Sequence, residues 1–396
     1  MFAVLLSIFT TIIFWLYFRK KTNVFQNIML GFYLIILMGS IGCIFYDVYP
    51  WYVSSLNLMV FTVLTLYCVW SFEGMKLDMN RVINYQNEVG IGWFFYIYII
   101  GVVVYMFVFI PKCMETIETG SFLAAYQEMR DDSISRFDSS SQKWLYYFVS
   151  RLHYLALIIG FNYLCKRHAI KGATIIIAAI SSIMVWAVYI VSRTDIFQII
   201  VITFTLYTLY RKYIPKKTLR RINIALITAA AIIVAVNVLI TLSRIEYKTD
   251  NLWVFNYFGR SVLTFNSIME YPAAMKDGVY FLGTQTVFSI NHPSYGGHEF
   301  VPVFARMYMD YGWFGFVVFL FLPIIIPKRR IALPEFYVIL WIFNTMLLGI
   351  MYSNFTISEI VFALLIFTAL KLYFISPSKS WQNATKRRNL IKQERI

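Results

Sequence analysis

Long apolar runs are the feature that most constrains how this chain can fold. A helix of about 20 apolar residues crosses a hydrocarbon core of about 30 Å, and eleven runs reach or approach that length. Hydrophobic residues make up 60% of the 396 positions and charged residues only 14%, so a soluble fold would lack polar surface. The pattern predicts an all-α polytopic membrane protein with about 11 transmembrane helices. Residues 192–195 and 301–310 are expected to extend the short seventh and ninth runs. The runs are Phe2–Phe18, Ile28–Phe45, Tyr52–Phe72, Ile91–Ile110, Trp144–Cys165, Gly172–Val191, Ile196–Tyr210, Ile222–Leu242, Gly312–Pro327, Phe336–Tyr352 and Ile357–Phe374.

Basic residues cluster after the odd-numbered runs. Cytoplasmic loops of membrane proteins carry an excess of lysine and arginine. The clusters therefore predict that odd-numbered runs end in the cytoplasm, that the N-terminus lies on the outer side, and that residues 375–396 form a basic cytoplasmic tail. Since the formal charge of +15 comes from these topology signals, no nucleic-acid partner is expected. The clusters are Arg19–Lys21, Lys76 with Arg81, Lys166–Lys171, Arg211–Arg221, Lys328–Arg330 and the tail.

Two long loops are predicted on the outer side, at residues 111–143 and 243–306. They hold most of the acidic residues, and long loops without low complexity are usually functional. In the second loop, polar and apolar side chains at residues 253–271 recur at helical spacing. This pattern predicts an amphipathic helix that lies at the outer membrane face and stops at Pro272. No linker or internal repeat is visible, so residues 1–396 are expected to form one integral membrane domain.

Three arginines on the predicted outer side are candidates for binding phosphate. Arg193 lies in a short link between two predicted helices, Arg244 begins the second long loop, and Arg260 lies on the polar stripe of the amphipathic helix. A guanidinium makes bidentate contacts to phosphate, and three of them near one lipid surface would neutralise a diphosphate. Each arginine also has a purely structural alternative. Arg193 would form a salt bridge to Asp195 or extend to the membrane interface, and Arg244 and Arg260 would bind lipid headgroups or cap helices.

Candidate catalytic bases lie just before the ninth run. His292 and His298 flank a turn that contains glycine and proline, and Glu299 follows directly. A histidine with an ordinary pKa of about 6.5 can accept a proton from a hydroxyl at neutral pH. The spacing does not separate the roles of the three residues. The alternative for each histidine is a surface-loop residue without chemistry.

Three ionisable residues fall inside predicted helices, where charged side chains are costly. Arg151 and His153 lie in the outer half of the fifth run, and Glu359 lies near the outer end of the eleventh. Such residues predict a buried partner or a wet cavity. Because Arg151 and His153 are two positions apart, they are expected to point to nearly opposite sides of their helix, with at least one facing the bundle.

The architecture and two short motifs resemble the Wzy-type O-antigen polymerases of bacterial inner membranes. The motifs are SRTDIF between the sixth and seventh runs and DYGWFG at the start of the ninth. The two glycines of the second motif, Gly312 and Gly315, permit close approach of helices. The resemblance covers nearly the whole chain through its helix count, its two long outer loops and its basic tail.

The resemblance implies a membrane glycosyltransferase of the GT-C type that works without a cofactor or metal in lipopolysaccharide biosynthesis. Its substrates would be oligosaccharide repeat units on undecaprenyl diphosphate, joined on the periplasmic face, and a regulator of chain length would be a partner. By position, the arginines on the outer side would hold the diphosphate and one of the candidate bases would activate the acceptor hydroxyl. Neither Arg193 nor Arg260 has the glycine eleven residues later that some members carry. Asp47 stands alone in the first outer link, where metal-dependent enzymes place an acidic pair.

Other functions fit the same topology. An O-antigen ligase would use the same donor and transfer finished glycan to a lipid core. A transporter or flippase of lipid-linked oligosaccharide is expected to show inverted repeats and interrupted helices at the midplane, and neither is evident in the sequence. A membrane acyltransferase would need an intramembrane histidine with an activating companion. The long outer loops with arginine and histidine favour an enzyme that works outside the cytoplasm.

Overall fold

The computed structural model describes residues 2–19, 22–45, 54–84, 88–118, 137–190, 193–224, 253–270, 301–351 and 357–373. Within these ranges the regular structure is helical and no strand occurs, which confirms the predicted all-α class. The helices are α1 (Phe2–Phe18), α2 (Val24–Phe45), α3 (Ser55–Trp70), α4 (Met79–Ile83), α5 (Glu88–Glu118), α6 (Ser140–Cys165), α7 (Ala169–Tyr189), α8 (Arg193–Tyr210), α9 (Trp253–Glu270), α10 (Val303–Tyr311), a 3-10 helix (Gly312–Phe316), α11 (Val317–Leu320), α12 (Leu322–Ile325), α13 (Leu333–Met351) and α14 (Ile357–Tyr373).

Five helical segments of the described chain are long and apolar enough to cross a membrane. Four shorter apolar segments, in α1, α3, α8 and from the 3-10 helix to α12, accompany them. These findings support a helical membrane protein. The count of eleven crossings stays a prediction, because the eighth run lies outside the described residues after Ile224. The five segments are Val24–Phe45, Gly92–Glu115, Ser140–Cys165, Ala169–Tyr189 and Leu333–Met351.

Segments that carry basic clusters meet at one end of the bundle. The Lys328 ammonium donates to the backbone carbonyls of Ser71 and Glu73, to the second at 2.8 Å. Asn23 donates to the carbonyl of Phe72, also at 2.8 Å. We call this the basic end and the opposite one the far end, and which membrane face each occupies stays a prediction. Further contacts at the basic end join Val82 with Asn162, Phe161 with Tyr210, Tyr210 with Phe336, and Glu335 with Lys371.

Helix α9 confirms that the amphipathic segment is helical, and it is packed against other helices rather than exposed; its position relative to the membrane stays a prediction. All residues from 261 to 269 are buried. Its polar stripe bonds to neighbouring helices: the Asn266 side-chain oxygen accepts from the Ser54 backbone N–H at 2.8 Å, and Asn57 donates to the Asn266 carbonyl at 3.3 Å. Small and hydrogen-bonding residues serve helix packing within a bilayer as well as they serve a wet surface. The sequence pattern alone therefore does not separate the two positions.

Helices α2 and α9 approach each other through a pair of glycines. A Cβ atom on Gly259 would lie 2.3 Å from the carbonyl carbon of Gly39, closer than any side chain tolerates. The Ser40 hydroxyl donates to the Gly259 carbonyl at 3.1 Å across the same contact. Glycines allow this backbone-to-backbone packing because they lack a side chain. The contact fixes α9 inside the bundle.

The ninth run is broken where one extended helix was expected. Helix α10 ends at Tyr311, and Gly312 has a φ of +58°, which glycine adopts without steric cost. The chain turns there into the 3-10 helix, so residues 301–310 do not extend the crossing as predicted. A Cβ atom on Gly315 would lie 2.1 Å from the Met307 carbonyl oxygen, which confirms the expected close approach at this glycine.

The predicted long loops are partly helical. Helix α5 continues through Pro111 to Glu118, and α6 begins at Ser140, so both edges of the segment assigned to a loop at residues 111–143 are helical, and its place outside the membrane stays a prediction. The Lys112 ammonium lies 2.7 Å from the Asp138 carboxylate and joins the two edges. Of the loop assigned to residues 243–306, α9 and the start of α10 are described. The other predicted parts, at 119–136, 243–252, 271–300 and 374–396, lie outside the described residues.

Candidate functional site

A polar cavity of about 120 Å³ lies inside the bundle, toward the far end. That volume is enough for several water molecules. Its walls come from the first half and the middle of α6, from the N-terminal parts of α8 and α14, from the C-terminal half of α7, from the middle of α5 and from both halves of α13. Ionisable and amide side chains concentrate here although the surrounding helices are apolar. The cavity is therefore the candidate functional site, and its polar lining includes Arg151, His153, Tyr154, Asp195, Gln198, Asn344 and Glu359.

An ion pair joins α6 to α14 at this cavity. The Arg151 guanidinium donates to the Glu359 carboxylate, and less than a quarter of either side chain is exposed. The same guanidinium lies 5.7 Å from the centre of the Tyr147 ring, where a cation–π contact is favourable. A charged group removed from water needs such a partner, since burying it alone is costly. The predicted buried partner for Arg151 and Glu359 is thus confirmed, and each is the other's partner.

Tyr154 ties three helices together on the cavity wall. Its hydroxyl oxygen accepts a hydrogen bond from the Gln198 amide of α8 and another from the Asn344 amide of α13, each at 2.5 Å. Tyr154 and Asn344 are almost fully buried. Polar networks in a low-dielectric interior give rigidity when their members are bonded. Helices α6, α8 and α13 are held in one arrangement at this point.

His153 presents one ring nitrogen to the cavity. Its Nδ1 contacts the backbone carbonyl of Ser150, and a carbonyl can only accept, so Nδ1 carries the proton. Nε2 is then the unprotonated acceptor, and the imidazole contacts the Tyr154 ring with the centroids 4.0 Å apart and the planes inclined by 35°. Arg151 and His153 both line the cavity, so the expectation that they face opposite sides was wrong. The long arginine side chain reaches around its helix, which Cα positions alone do not reveal.

Three side chains that can carry a charge are among the described lining residues of the cavity. They are the guanidinium of Arg151 and the carboxylates of Asp195 and Glu359. The Arg151–Glu359 pair is neutral as a unit.

One predicted diphosphate-binding residue lies next to the cavity. Arg193 is the first residue of α8, two positions before Asp195, rather than part of a link, although its side chain lies outside the described part. Arg260 lies on α9 near Cys43 of α2. Phe258, two positions before Arg260, packs its ring 6.3 Å from that of Phe197 on α8. The predicted residues Arg244, His292, His298 and Glu299 lie outside the described residues.

Sequence reasoning missed several polar residues that build this site. Tyr154, Gln198 and Asn344 are single polar residues in apolar runs, and that was their only signal. Many other such residues bond locally, as Thr205 does to the carbonyl one turn before it. The pattern of one sequence gives no means to separate the two groups. Their convergence from three helices is visible only in the fold.

No metal site is apparent among the residues that the structure describes. No group of three or more histidine, cysteine, aspartate or glutamate side chains is close enough together there to hold an ion. No protein-family model matches the chain, and no curated protein or solved structure is significantly similar to it. The case for function rests on the residues themselves.

Proposed function

We propose that this protein is a membrane glycosyltransferase that polymerises oligosaccharide repeat units linked to undecaprenyl diphosphate. The reaction would take place on the periplasmic face of a bacterial inner membrane, as in the O-antigen polymerases that the sequence resembles. The observation that carries the proposal is the polar cavity at the far end of the bundle. By the positive-inside rule the far end is the periplasmic one, since the basic clusters lie at the opposite end.

The cavity extends from the middle of the bundle toward the far end. Secondary transporters bind their substrates near the bilayer midplane, between repeats that rock around the site. Here the lining includes residues from the middle of α5, α6 and α13 as well as residues nearer the far end, beside the helix start that carries Arg193. A substrate held in the outer leaflet by its lipid could place its headgroup at the far end of the cavity.

The proposed reaction is transfer of the growing glycan from its lipid diphosphate to a hydroxyl of the next repeat unit. The acceptor oxygen bonds to the anomeric carbon as the bond from that carbon to the diphosphate oxygen breaks. The hydroxyl proton goes to a base, for which His292, His298 and Glu299 stay the candidates. The leaving undecaprenyl diphosphate gains negative charge, and Arg193, Arg244 and Arg260 would stabilise it.

Deletion of the gene tests the class of activity. Surface polysaccharide from the deletion strain would be separated on a gel beside that of the wild type. A polymerase mutant retains lipid core that bears one repeat unit, because single units still reach the ligase. A ligase or flippase mutant gives core without any unit, and that outcome would replace the proposed activity with one of these two. An unchanged ladder would overturn the proposal.

A point variant tests the diphosphate role with the protein in place. Arg193→Ala is expected to abolish chain extension while the protein still accumulates in the membrane. Arg220→Ala is the matched control, since it removes a guanidinium at the basic end, far from the cavity. Loss of a charge-assisted contact that forms with the leaving group reduces a rate by about 100-fold or more. Wild-type ladders from both variants would rule out the clamp.

A further inference from the structure

Polar atoms without hydrogen-bond partners cluster around the cavity. Arg151 Nε, His153 Nε2 and Asn344 Oδ1 are buried and make no hydrogen bond, and the Ser150 and Tyr105 hydroxyls are in the same state. All five residues line the cavity. Leaving a buried polar group unpaired is costly, because the group loses its hydrogen bonds to water and gains none in return. A cluster of them inside one cavity indicates that something polar fills it.

The chemistry of these atoms restricts what can fill the cavity. Arg151 Nε can only donate a hydrogen bond, whereas Asn344 Oδ1 and the unprotonated His153 Nε2 can only accept one. An ammonium ion would offer donors alone, a metal ion would leave the Arg151 Nε–H group unmatched, and a phosphate or carboxylate would offer acceptors alone. A hydroxyl group does both.

The apolar part of the lining fits a compact ring. Trp186, Trp341, Tyr146 and Tyr337 line the cavity beside its polar groups. Binding sites for small polar molecules combine aromatic walls with a few placed hydrogen-bonding groups that fix orientation. A sugar ring has both hydroxyl edges and apolar C–H faces. It matches this lining better than a linear polar chain does.

We propose that the cavity binds one uncharged sugar residue of the acceptor and excludes the diphosphate. Arg151, His153 and Asn344 would bind its hydroxyls, and the diphosphate would be held outside, on the Arg193 side of the lining. Since the acceptor role rests on the proposed function, the site and the role need separate tests. In this arrangement the Arg151–Glu359 pair orients Arg151 Nε. It does not serve as a phosphate clamp.

Binding of free sugars to the purified full-length chain in detergent tests the site. The probes are glucose, galactose, mannose, rhamnose, N-acetylglucosamine and N-acetylgalactosamine, with inorganic pyrophosphate as the anionic probe. Tryptophan fluorescence is a direct readout because Trp186 and Trp341 line the cavity. At least one sugar is expected to give a saturable change, and pyrophosphate is expected neither to give that change nor to compete with the sugar.

Variants then locate the binding. Asn344→Leu and His153→Phe are each expected to weaken sugar binding about tenfold or more, the effect of losing a buried hydrogen bond. Asn162→Leu is the matched control, since Asn162 is equally buried on α6, also has an unpartnered side-chain oxygen and does not line the cavity. Ser150→Ala serves as a milder test if His153→Phe does not fold. Equal binding by control and cavity variants, no response to any sugar in the wild type, or competition by pyrophosphate would overturn the assignment.

The gel assay on the same variants separates the two proposals. If deletion leaves core with one repeat unit but Asn344→Leu extends chains normally, the function stands and the cavity is not the acceptor site. If deletion leaves the ladder unchanged while sugar binding depends on Asn344, the cavity is a sugar site and the proposed polymerase function is wrong. Loss of both extension and binding in Asn344→Leu, with both retained in Asn162→Leu, supports the two together.

Discussion

Breaking the Arg151–Glu359 pair offers a quantitative test of the cavity. Removing one partner of a buried ion pair costs about 3–5 kcal/mol, because the other charge is left uncompensated. Since about a fifth of each side chain is exposed, water screens part of this, and we expect about 3 kcal/mol for Glu359→Gln or Arg151→Met. The double variant leaves no stranded charge. It should lose clearly less stability than the two single variants summed.

The measurement is a double-mutant cycle on unfolding in mixed micelles of rising sodium dodecyl sulfate content. We expect a coupling energy of about 2 kcal/mol between Arg151 and Glu359. The Lys112–Asp138 pair is the control, because its carboxylate is about two-thirds exposed and exposed pairs couple by less than about 1 kcal/mol. Equal coupling in the two pairs would refute the view that the cavity is a low-dielectric site.

Three further outcomes follow from the described contacts. Gly259→Val should abolish accumulation of folded protein, because a side chain there meets the α2 backbone. Gly31→Ala is the control and should leave accumulation unchanged, because a Cβ there meets nothing within 4 Å. Size-exclusion profiles of the two variants distinguish these outcomes. Tyr154→Phe removes the acceptor of the buried Asn344 amide and of the half-buried Gln198 amide, so the free energy of unfolding should fall by about 2 kcal/mol in the same micelle assay. Hydrogen bonds from the Lys112 ammonium and the Gln142 amide lower the pKa of Asp138 below its ordinary 3.8. Because the folded pKa is the lower one, this stabilisation is complete above the ordinary value and is lost as pH falls through the folded pKa. The acid limb of stability in Asp138→Asn should be flatter than in the wild type, and identical acid limbs would contradict the contact.

The helical frame was predictable because its signals are local. Apolar runs and basic clusters each occupy one short stretch of chain, and their alternation places the ends of the helices. Ionisable residues in such runs, among them Arg151 and Glu359, can also be recognised as buried polar sites, since a charge in hydrocarbon requires a partner. Their identity as partners was out of reach, because 208 positions separate them.

What the sequence could not supply depends on contacts between distant segments. The stripe on α9 has the same pattern whether it faces headgroups or the α2 and α3 helices. Asn344 lines a cavity and Asn162 does not, although each is one amide in an apolar run. The break at Gly312 was hidden because its two glycines suggested close packing and gave no sign of a turn.

The hydroxyl of Tyr154 has a consequence for movement. A carrier exposes its site to one side of the membrane and then to the other, so helices around the site must shift against each other in every cycle. The Tyr154 hydroxyl accepts hydrogen bonds from α8 and α13 at once. One turn earlier on α6, Arg151 forms the ion pair that adds α14. Breaking these buried contacts would add several kcal/mol to the cost of each transition. We therefore expect α6, α8, α13 and α14 to keep their relative positions at this end of the bundle while a ligand binds and dissociates.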